Sequence, residues 1–209
     1  HLSLRRERQM CIRDSFITDG RYIEQSKDQV KGFDRFIDMA SHLSIIEKNN
    51  LLSSNSKIGF EGDHVNYTLY DSMKSNFNDV NWTSTQMIVE DLASVKDKSE
   101  LDAFRVAVEI TDKVYEEILP MLRPGFTEKQ VANTLVSKYR EYGDGEAYSP
   151  IVATGPNGAL PHAIPTDREF KNGDFIVIDA AAKYAGYHAD MTRTPVVGEA
   201  TEKHHEVYA

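Results

Sequence analysis

Cysteine is almost absent from this chain of 209 residues, which contains Cys11 and no other. A disulfide within the chain is therefore excluded, and the simplest expectation is a reducing compartment, the cytoplasm. Basic residues are also in deficit, because 24 lysines and arginines face 33 aspartates and glutamates, for a formal net charge of −9. This balance argues against nucleic acid as a partner, since phosphate binding needs a basic surface.

Long apolar runs are missing as well. No segment approaches the roughly 20 apolar residues that a helix needs to cross a bilayer, so we expect no membrane as a partner. The amino end lacks the basic start, apolar centre and small-residue cleavage site of a secretory signal peptide. What is present, 40% hydrophobic and 27% charged residues, is the mixture typical of a globular protein.

The chain divides into three regions by composition and pattern. Residues 1–15 are rich in arginine, unlike the rest of the chain, and we interpret them as a non-native leader; a native basic helix is the alternative. Over residues 16–95, strands alternate with helices, which predicts part of a small α/β amino-terminal domain that lacks its opening strands. Within this region the apolar spacing predicts one helix over residues 35–52.

Residues 96–209 predict a second domain of the α+β class. An apolar stripe predicts a helix over residues 97–122, kinked or ended by its proline. Thr127-Glu-Lys-Gln130 is a capping-box signature, which predicts a second helix from Glu128 to Tyr142. Strands are expected to dominate after this helix, over residues 148–153, 175–182 and 187–197.

Two aspartates, Asp179 and Asp190, lie on either side of a predicted hairpin turn. If the turn has an even number of residues and is centred on Tyr184 and Ala185, the two lie directly opposite each other on one face. Like charges so placed destabilise a sheet, and a divalent cation between the carboxylates would remove that cost. An odd turn would separate the faces, and two solvent-facing aspartates on an ordinary hairpin are the alternative.

Several motifs resemble a known family. Residues 151–162, Lys171-Asn-Gly-Asp174 and the hairpin ending in Asp190-Met-Thr-Arg-Thr194 resemble the first half of a pita-bread (creatinase/aminopeptidase-like) metallopeptidase domain. Upstream, Phe16-Ile-Thr-Asp-Gly-Arg-Tyr22 and Gly59-Phe-Glu-Gly-Asp63 resemble the amino-terminal domain of Xaa-Pro aminopeptidases and Xaa-Pro dipeptidases (prolidases). The chain from residue 16 onward thus resembles this family, as a fragment truncated at both ends.

The resemblance implies a metal-dependent exopeptidase that uses a metal-activated water to hydrolyse the Xaa-Pro bond at the amino end of peptides or in dipeptides. Family members bind two divalent ions through two aspartates, one histidine and two glutamates; Mn²⁺ is the favoured ion, and Co²⁺ or Zn²⁺ is compatible. Asp179 and Asp190 match the aspartate ligands, and His162 matches a histidine that contacts the substrate near the scissile bond. The other ligands would follow Ala209, so the 209 residues by themselves are expected to be inactive.

The resemblance also implies peptide substrates with proline at the second position and a homodimer at full length. It leaves aminopeptidase and dipeptidase activity both open. A methionine aminopeptidase would lack the amino-terminal domain, and a creatinase would dispense with the metal and so with the aspartate pair. A function of another class is open too, a catalytically inactive pita-bread domain that serves as a protein-binding scaffold.

Overall fold

The structure, a computed structural model, describes residues 14–209. The predicted leader over residues 1–15 therefore lies almost wholly outside the described residues. The chain divides into two compact units, an amino-terminal unit that ends at Val95 and a carboxy-terminal unit from Lys96 to Ala209. None of the helices in residues 14–209 combines the length and the apolar character that crossing a lipid bilayer requires.

Short strands alternate with helices in the described part of the amino-terminal unit. These elements are β1 (Ser15–Thr18), α1 (Ile23–Gln29), β2 (Asp34–Ile37), α2 (His42–Lys48), β3 (Lys57–Glu61), α3 (Tyr67–Asn76), β4 (Asn81–Thr85) and α4 (Ile88–Ser94). β1 pairs in parallel with β2, and β3 pairs in parallel with β4. The alternation agrees with the predicted α/β class, because parallel neighbours need a crossover connection.

The helix predicted over residues 35–52 is wrong in its first part. Residues 35–37 belong to β2 and pair with residues 16–18 of β1. The helix begins only at His42, where the Ser41 side chain accepts a hydrogen bond from the Ser44 N–H. A local apolar pattern cannot distinguish a short strand from the start of a helix, because the partner strand that decides between them lies elsewhere in the sequence.

Two amphipathic helices open the carboxy-terminal unit. They are α5 (Lys98–Ile118), followed by the 3₁₀ turn Leu119–Met121 that contains the proline, and α6 (Glu128–Tyr142). The capping box predicted for α6 is present: Thr127 Oγ1 accepts from the Gln130 N–H, and the Gln130 side chain accepts from the Thr127 N–H. The start of α6 is therefore fixed by local chemistry.

The strands of residues 96–209, all of them described, form two antiparallel sheets. One has the order β10-β7-β6 and the other the order β5-β8-β9. The elements are β5 (Gly145–Glu146), β6 (Ile151–Thr154), β7 (Ile176–Asp179), β8 (Ala182–Tyr184), β9 (Tyr187–His188), β10 (Thr192–Arg193) and the final helix α7 (Glu202–Tyr208). The hairpin thus changes sheet between β7 and β8, and again between β9 and β10.

The core of the carboxy-terminal unit lies between α5, α6 and the strands. Its fully or almost fully buried aliphatic side chains include Val114, Ile118, Val131, Leu135, Val152, Ile176 and Ile178. Burying one such side chain stabilises the fold by roughly 1.5–3 kcal/mol. This packing holds the base of the hairpin against the two helices.

Candidate functional site

The two aspartates lie where the hairpin passes from one sheet to the other. Asp179 is the last residue of β7, and Asp190 lies between β9 and β10. The turn is even, with two residues, Ala185 and Gly186, whose φ angles are 49° and 84°. Positive φ at both central residues is typical of a type I′ hairpin turn. An even turn places Asp179 and Asp190, which are an odd number of positions apart, on the same face of the hairpin, as the prediction requires.

The predicted pairing of the two aspartates is wrong by two residues. Asp179 pairs with Thr192, because the turn is centred on Ala185 and Gly186 instead of one residue earlier. Glycine suits the second central position, which needs a positive φ. A shift of two residues preserves the face, so Asp190 becomes a diagonal neighbour of Asp179.

A tyrosine joins the two carboxylates. The Tyr148 hydroxyl lies 2.5 Å from Asp179 Oδ1 and 3.0 Å from Asp190 Oδ1. The distance between Asp179 Oδ1 and Asp190 Oδ1 therefore cannot exceed the summed lengths of these two hydrogen bonds. Burial raises the pKa of the Tyr148 hydroxyl well above its usual value, and the hydrogen bonds to Asp179 and Asp190 raise it further. The hydroxyl thus remains a protonated donor at neutral pH.

Nothing in the sequence around Tyr148 singles it out as a site residue. The tyrosine precedes Asp179 by 31 residues and lies just before β6, which was predicted to begin with it and begins at Ile151. A tyrosine beside a strand usually serves in packing. Only the folded chain brings this hydroxyl to the carboxylates.

The donor set at this point fits a divalent cation. Asp179 is half-buried and Asp190 is exposed, so the carboxylates lie together at the surface end of the site. The neutral Tyr148 hydroxyl carries a single proton, which the two carboxylates share, so most of their lone pairs stay without a donor from this group. Carboxylate oxygens are common ligands of hard and borderline divalent ions, and Asp179 and Asp190 are the residues that would hold such an ion.

A different group of potential ligands lies in the amino-terminal unit. The ligand atoms of Glu61, His64 and Glu90 all lie within 4.8 Å of one another, and the three side chains are exposed. They border a cavity of about 280 Å³. Among residues 14–209, no third His, Cys, Asp or Glu forms such a group with Asp179 and Asp190. None of these three residues was predicted to bind a metal.

His162 lies in an exposed loop beyond the 3₁₀ turn Gly155–Ala159. Within the described part of the chain, its side chain makes no hydrogen bond or ion pair, and none joins it to Asp179 or Asp190. Two apolar neighbours in this loop, Leu160 and Ile164, are 57% and 82% exposed. The imidazole is therefore free to contact a ligand.

Comparison with known families distinguishes two regions of the chain. Residues 102–209 match metallopeptidase family M24, and residues 6–95 match the creatinase/prolidase N-terminal domain. The second match begins inside the stretch predicted to be a leader. Together the two matches cover nearly the whole chain.

Individual relatives agree with these matches. The uncharacterized peptidase YqhT of Bacillus subtilis is 35% identical over 93% of this chain and 55% of its own length. The solved Xaa-Pro dipeptidase from Bacillus anthracis is similar with a TM-score of 0.85 and 35% identity, covering 94% of this chain and 56% of that one. The X-Pro aminopeptidase from Thermotoga maritima gives a TM-score of 0.82 and 33% identity, with coverages of 93% and 55%. The chain thus spans about half the length of these relatives.

These similarities confirm the predicted fold, a creatinase-type amino-terminal domain followed by the first half of a pita-bread domain. They also confirm the predicted class, because the matched family consists of metallopeptidases, which are hydrolases that use divalent metal ions. More than half of the chain, including both aspartates, His162 and Tyr148, lies within that match. The chain belongs to metallopeptidase family M24.

Proposed function

We propose that the protein is a metal-dependent exopeptidase that hydrolyses the bond between any residue and a following proline. The observation that carries the proposal is the convergence of Asp179 and Asp190 on the Tyr148 hydroxyl in a chain of family M24. The choice of the Xaa-Pro bond is supported by two similar solved structures, an Xaa-Pro dipeptidase and an X-Pro aminopeptidase.

Asp179 and Asp190 are proposed to hold two divalent ions, with Mn²⁺ the first choice and Co²⁺ or Zn²⁺ as alternatives. When bound, such ions act as Lewis acids and activate water for attack on the scissile carbonyl. The residues of this chain orient the carboxylates that would hold the ions. Tyr148 donates from one side, which leaves the remaining lone pairs of both carboxylates available to a cation.

His162 is proposed to donate a hydrogen bond to the carbonyl oxygen that gains charge during attack. Such donors accelerate acyl transfer because they stabilise charge that develops only in the transition state. The exposed imidazole has no partner within the described residues, so no existing contact must break. Pro161 and Pro165 restrict the backbone on both sides of it.

The proposed substrates are peptides with proline at the second position, and the proposed assembly is a homodimer in the cytoplasm. Residues 16–95 and 96–209 are proposed as its amino-terminal and catalytic domains. Dipeptidase and aminopeptidase activities are distinguished by the length of peptide that the protein accepts.

The test is turnover by the protein at its full encoded length, on Xaa-Pro dipeptides and on longer Xaa-Pro peptides, with Mn²⁺ and after chelation. Asp190→Asn is expected to abolish turnover and to leave the fold intact, because an amide is a poor substitute for a metal-binding carboxylate. The matched control is Asp102→Asn in α5, whose carboxylate pairs with Lys98 and Arg105 at the surface.

Near-normal turnover by Asp190→Asn would contradict the assigned role. A folded wild-type protein that binds Mn²⁺ but cleaves none of these peptides would exclude the proposed activity and favour a binding scaffold. Cleavage of the dipeptides alone would identify a dipeptidase, and cleavage of the longer peptides an aminopeptidase.

A further inference from the structure

Glu128 is a fully buried carboxylate to which the proposed reaction gives no role. It is the first residue of α6, its exposure is 0%, and it is the one charged side chain in residues 14–209 that is buried. Burying a carboxylate is costly unless hydrogen-bond donors replace the lost water. The hydrogen-bond donors around the Glu128 carboxylate therefore indicate its structural role.

Every hydrogen bond described for this carboxylate comes from one loop. Oε1 accepts from the Thr154 N–H at 2.8 Å and from Asn157 Nδ2 at 3.0 Å. Oε2 accepts from the Thr166 N–H at 2.9 Å, the Thr166 hydroxyl at 2.6 Å and Asn157 Nδ2 at 3.1 Å. An ionised carboxylate suits this set because both of its oxygens are acceptors, and its place at a helix amino terminus favours negative charge.

These donors lie at the two ends of the loop that carries His162. Thr154 closes β6 before the loop, and Thr166 lies after it. The first turn of α6 makes further ties to the far end: the Lys129 N–H donates to the Thr166 carbonyl at 3.0 Å, and the Glu128 N–H donates to the Arg168 carbonyl at 3.1 Å. One carboxylate on a packed helix thus joins the start of the loop to its end.

We propose that Glu128 is a positioning residue that clamps the loop from Thr154 to Thr166 and so sets the place of His162. The inference rests on the function proposed for His162. A loop whose ends are tied together has less conformational freedom than an untied one. Displacement of a catalytic group by about 1 Å can cost on the order of 10²-fold in rate, so the clamp matters to catalysis without touching the substrate.

Glu128→Gln tests the clamp in the protein at its full encoded length. Glutamine keeps the shape but replaces one acceptor oxygen with an NH₂ group that would face N–H and O–H donors. Thr166→Val is a milder variant that keeps the Thr166 N–H donor to Glu128 and removes the hydroxyl, which donates to Glu128 Oε2 and accepts from the Arg168 N–H at 3.2 Å. It serves if the glutamine variant does not fold. The control is Leu135→Ala, a buried α6 residue whose loss destabilises the same helix and leaves the clamp in place.

Two readouts separate positioning from stability. Amide hydrogen exchange over residues 155–165 should speed up in Glu128→Gln and, to a lesser extent, in Thr166→Val, and should stay near wild type in Leu135→Ala. On an Xaa-Pro peptide, kcat should fall about 10- to 100-fold in Glu128→Gln, with KM changed less. The double variant Glu128→Gln/His162→Ala should be no more than about threefold slower than His162→Ala alone, since both act through one group.

Unchanged loop exchange in Glu128→Gln would overturn the clamp, whatever the turnover. Rate losses that multiply in the double variant, or an equal rate loss in Leu135→Ala, would overturn the link to His162. Wild-type turnover by His162→Ala would instead overturn the function proposed for His162, and the exchange data would still decide whether the clamp exists.

Discussion

Asp179 and Asp190 accept hydrogen bonds from the same donor, the Tyr148 hydroxyl, at 2.5 and 3.0 Å. The donor comes from the segment before β6, and the acceptors come from the two sides of a hairpin. Groups that hydrogen-bond to metal-binding side chains orient them and tune their affinity. This one contact therefore links the packing of the strands to the chemistry proposed for the site.

Tyr148→Phe is expected to weaken Mn²⁺ binding, and turnover with it, by about 10- to 100-fold. Loss of the hydroxyl leaves the two carboxylates without their shared donor, so they are free to rotate apart in the metal-free protein. Calorimetric titration of the protein at its full encoded length with Mn²⁺ measures the affinity directly.

Tyr139→Phe in α6 is the matched control for this substitution. The Tyr139 ring is fully buried, and its hydroxyl has no hydrogen-bond partner among the described residues. Removing that hydroxyl should leave Mn²⁺ affinity unchanged and should not lower stability, because no hydrogen bond is lost. Equal Mn²⁺ affinity in the Tyr148→Phe and wild-type proteins would contradict a supporting role for Tyr148.

Ala185→Asn is expected to stabilise the hairpin by roughly 0.5–1 kcal/mol. Ala185 occupies the first central position of the turn with a φ of 49°, a left-handed conformation that costs alanine more than asparagine. Asn-Gly is also the favoured pair for a type I′ turn. Urea denaturation gives the change in the free energy of unfolding.

Ala200→Asn serves as the comparison for the turn variant, because Ala200 is exposed and is not among the residues with positive φ. Its free energy of unfolding should stay within about 0.5 kcal/mol of wild type. A stability gain at Ala200 as large as that at Ala185 would show that the backbone conformation of the turn is not the cause.

Asp19 is expected to titrate near pH 2 in the folded protein. The Arg21 side chain donates to both of its carboxylate oxygens, at 2.9 and 2.7 Å. This hydrogen bonding lowers the pKa of Asp19 from its usual 3.8 to about 2. Because the folded pKa lies below the unfolded one, the stabilisation is complete above about pH 4 and is lost as pH falls towards 2.

Arg21→Gln should return the pKa of Asp19 towards 3.8, and NMR titration of the Asp19 carboxyl carbon measures it. Arg35→Gln is the control, since Arg35 is not among the groups that shift this pKa. A midpoint that stays near 2 in Arg21→Gln would mean that the Arg21 side chain is not the cause of the shift.

The parts of the fold that local patterns specify were predictable. The capping box from Thr127 to Gln130 predicted the start of α6 at Glu128 as observed, because its two hydrogen bonds form within one turn. The helix predicted from residue 35 failed because β2 exists only through its pairing with β1.

The candidate site shows the same division. The spacing of Asp179 and Asp190 follows from the sequence, which left an even and an odd turn open; the structure shows the even turn that places both on one face. The register of the hairpin does not follow from the sequence. The turn lies at Ala185 and Gly186, and Asp179 pairs with Thr192. Turn position depends on backbone conformation and on the pairing of whole strands.

By itself, the sequence determined the start of α6, the hairpin and the presence of one aspartate on each side of its turn. Only the tertiary structure decided that Tyr148 joins those acids and that Glu128 ties together the ends of the loop around His162. The reason is physical: a capping box or an alternating strand is complete within a few residues. The contacts of Tyr148 and Glu128 join residues 26 to 42 positions apart, and packing of the whole unit brings them together.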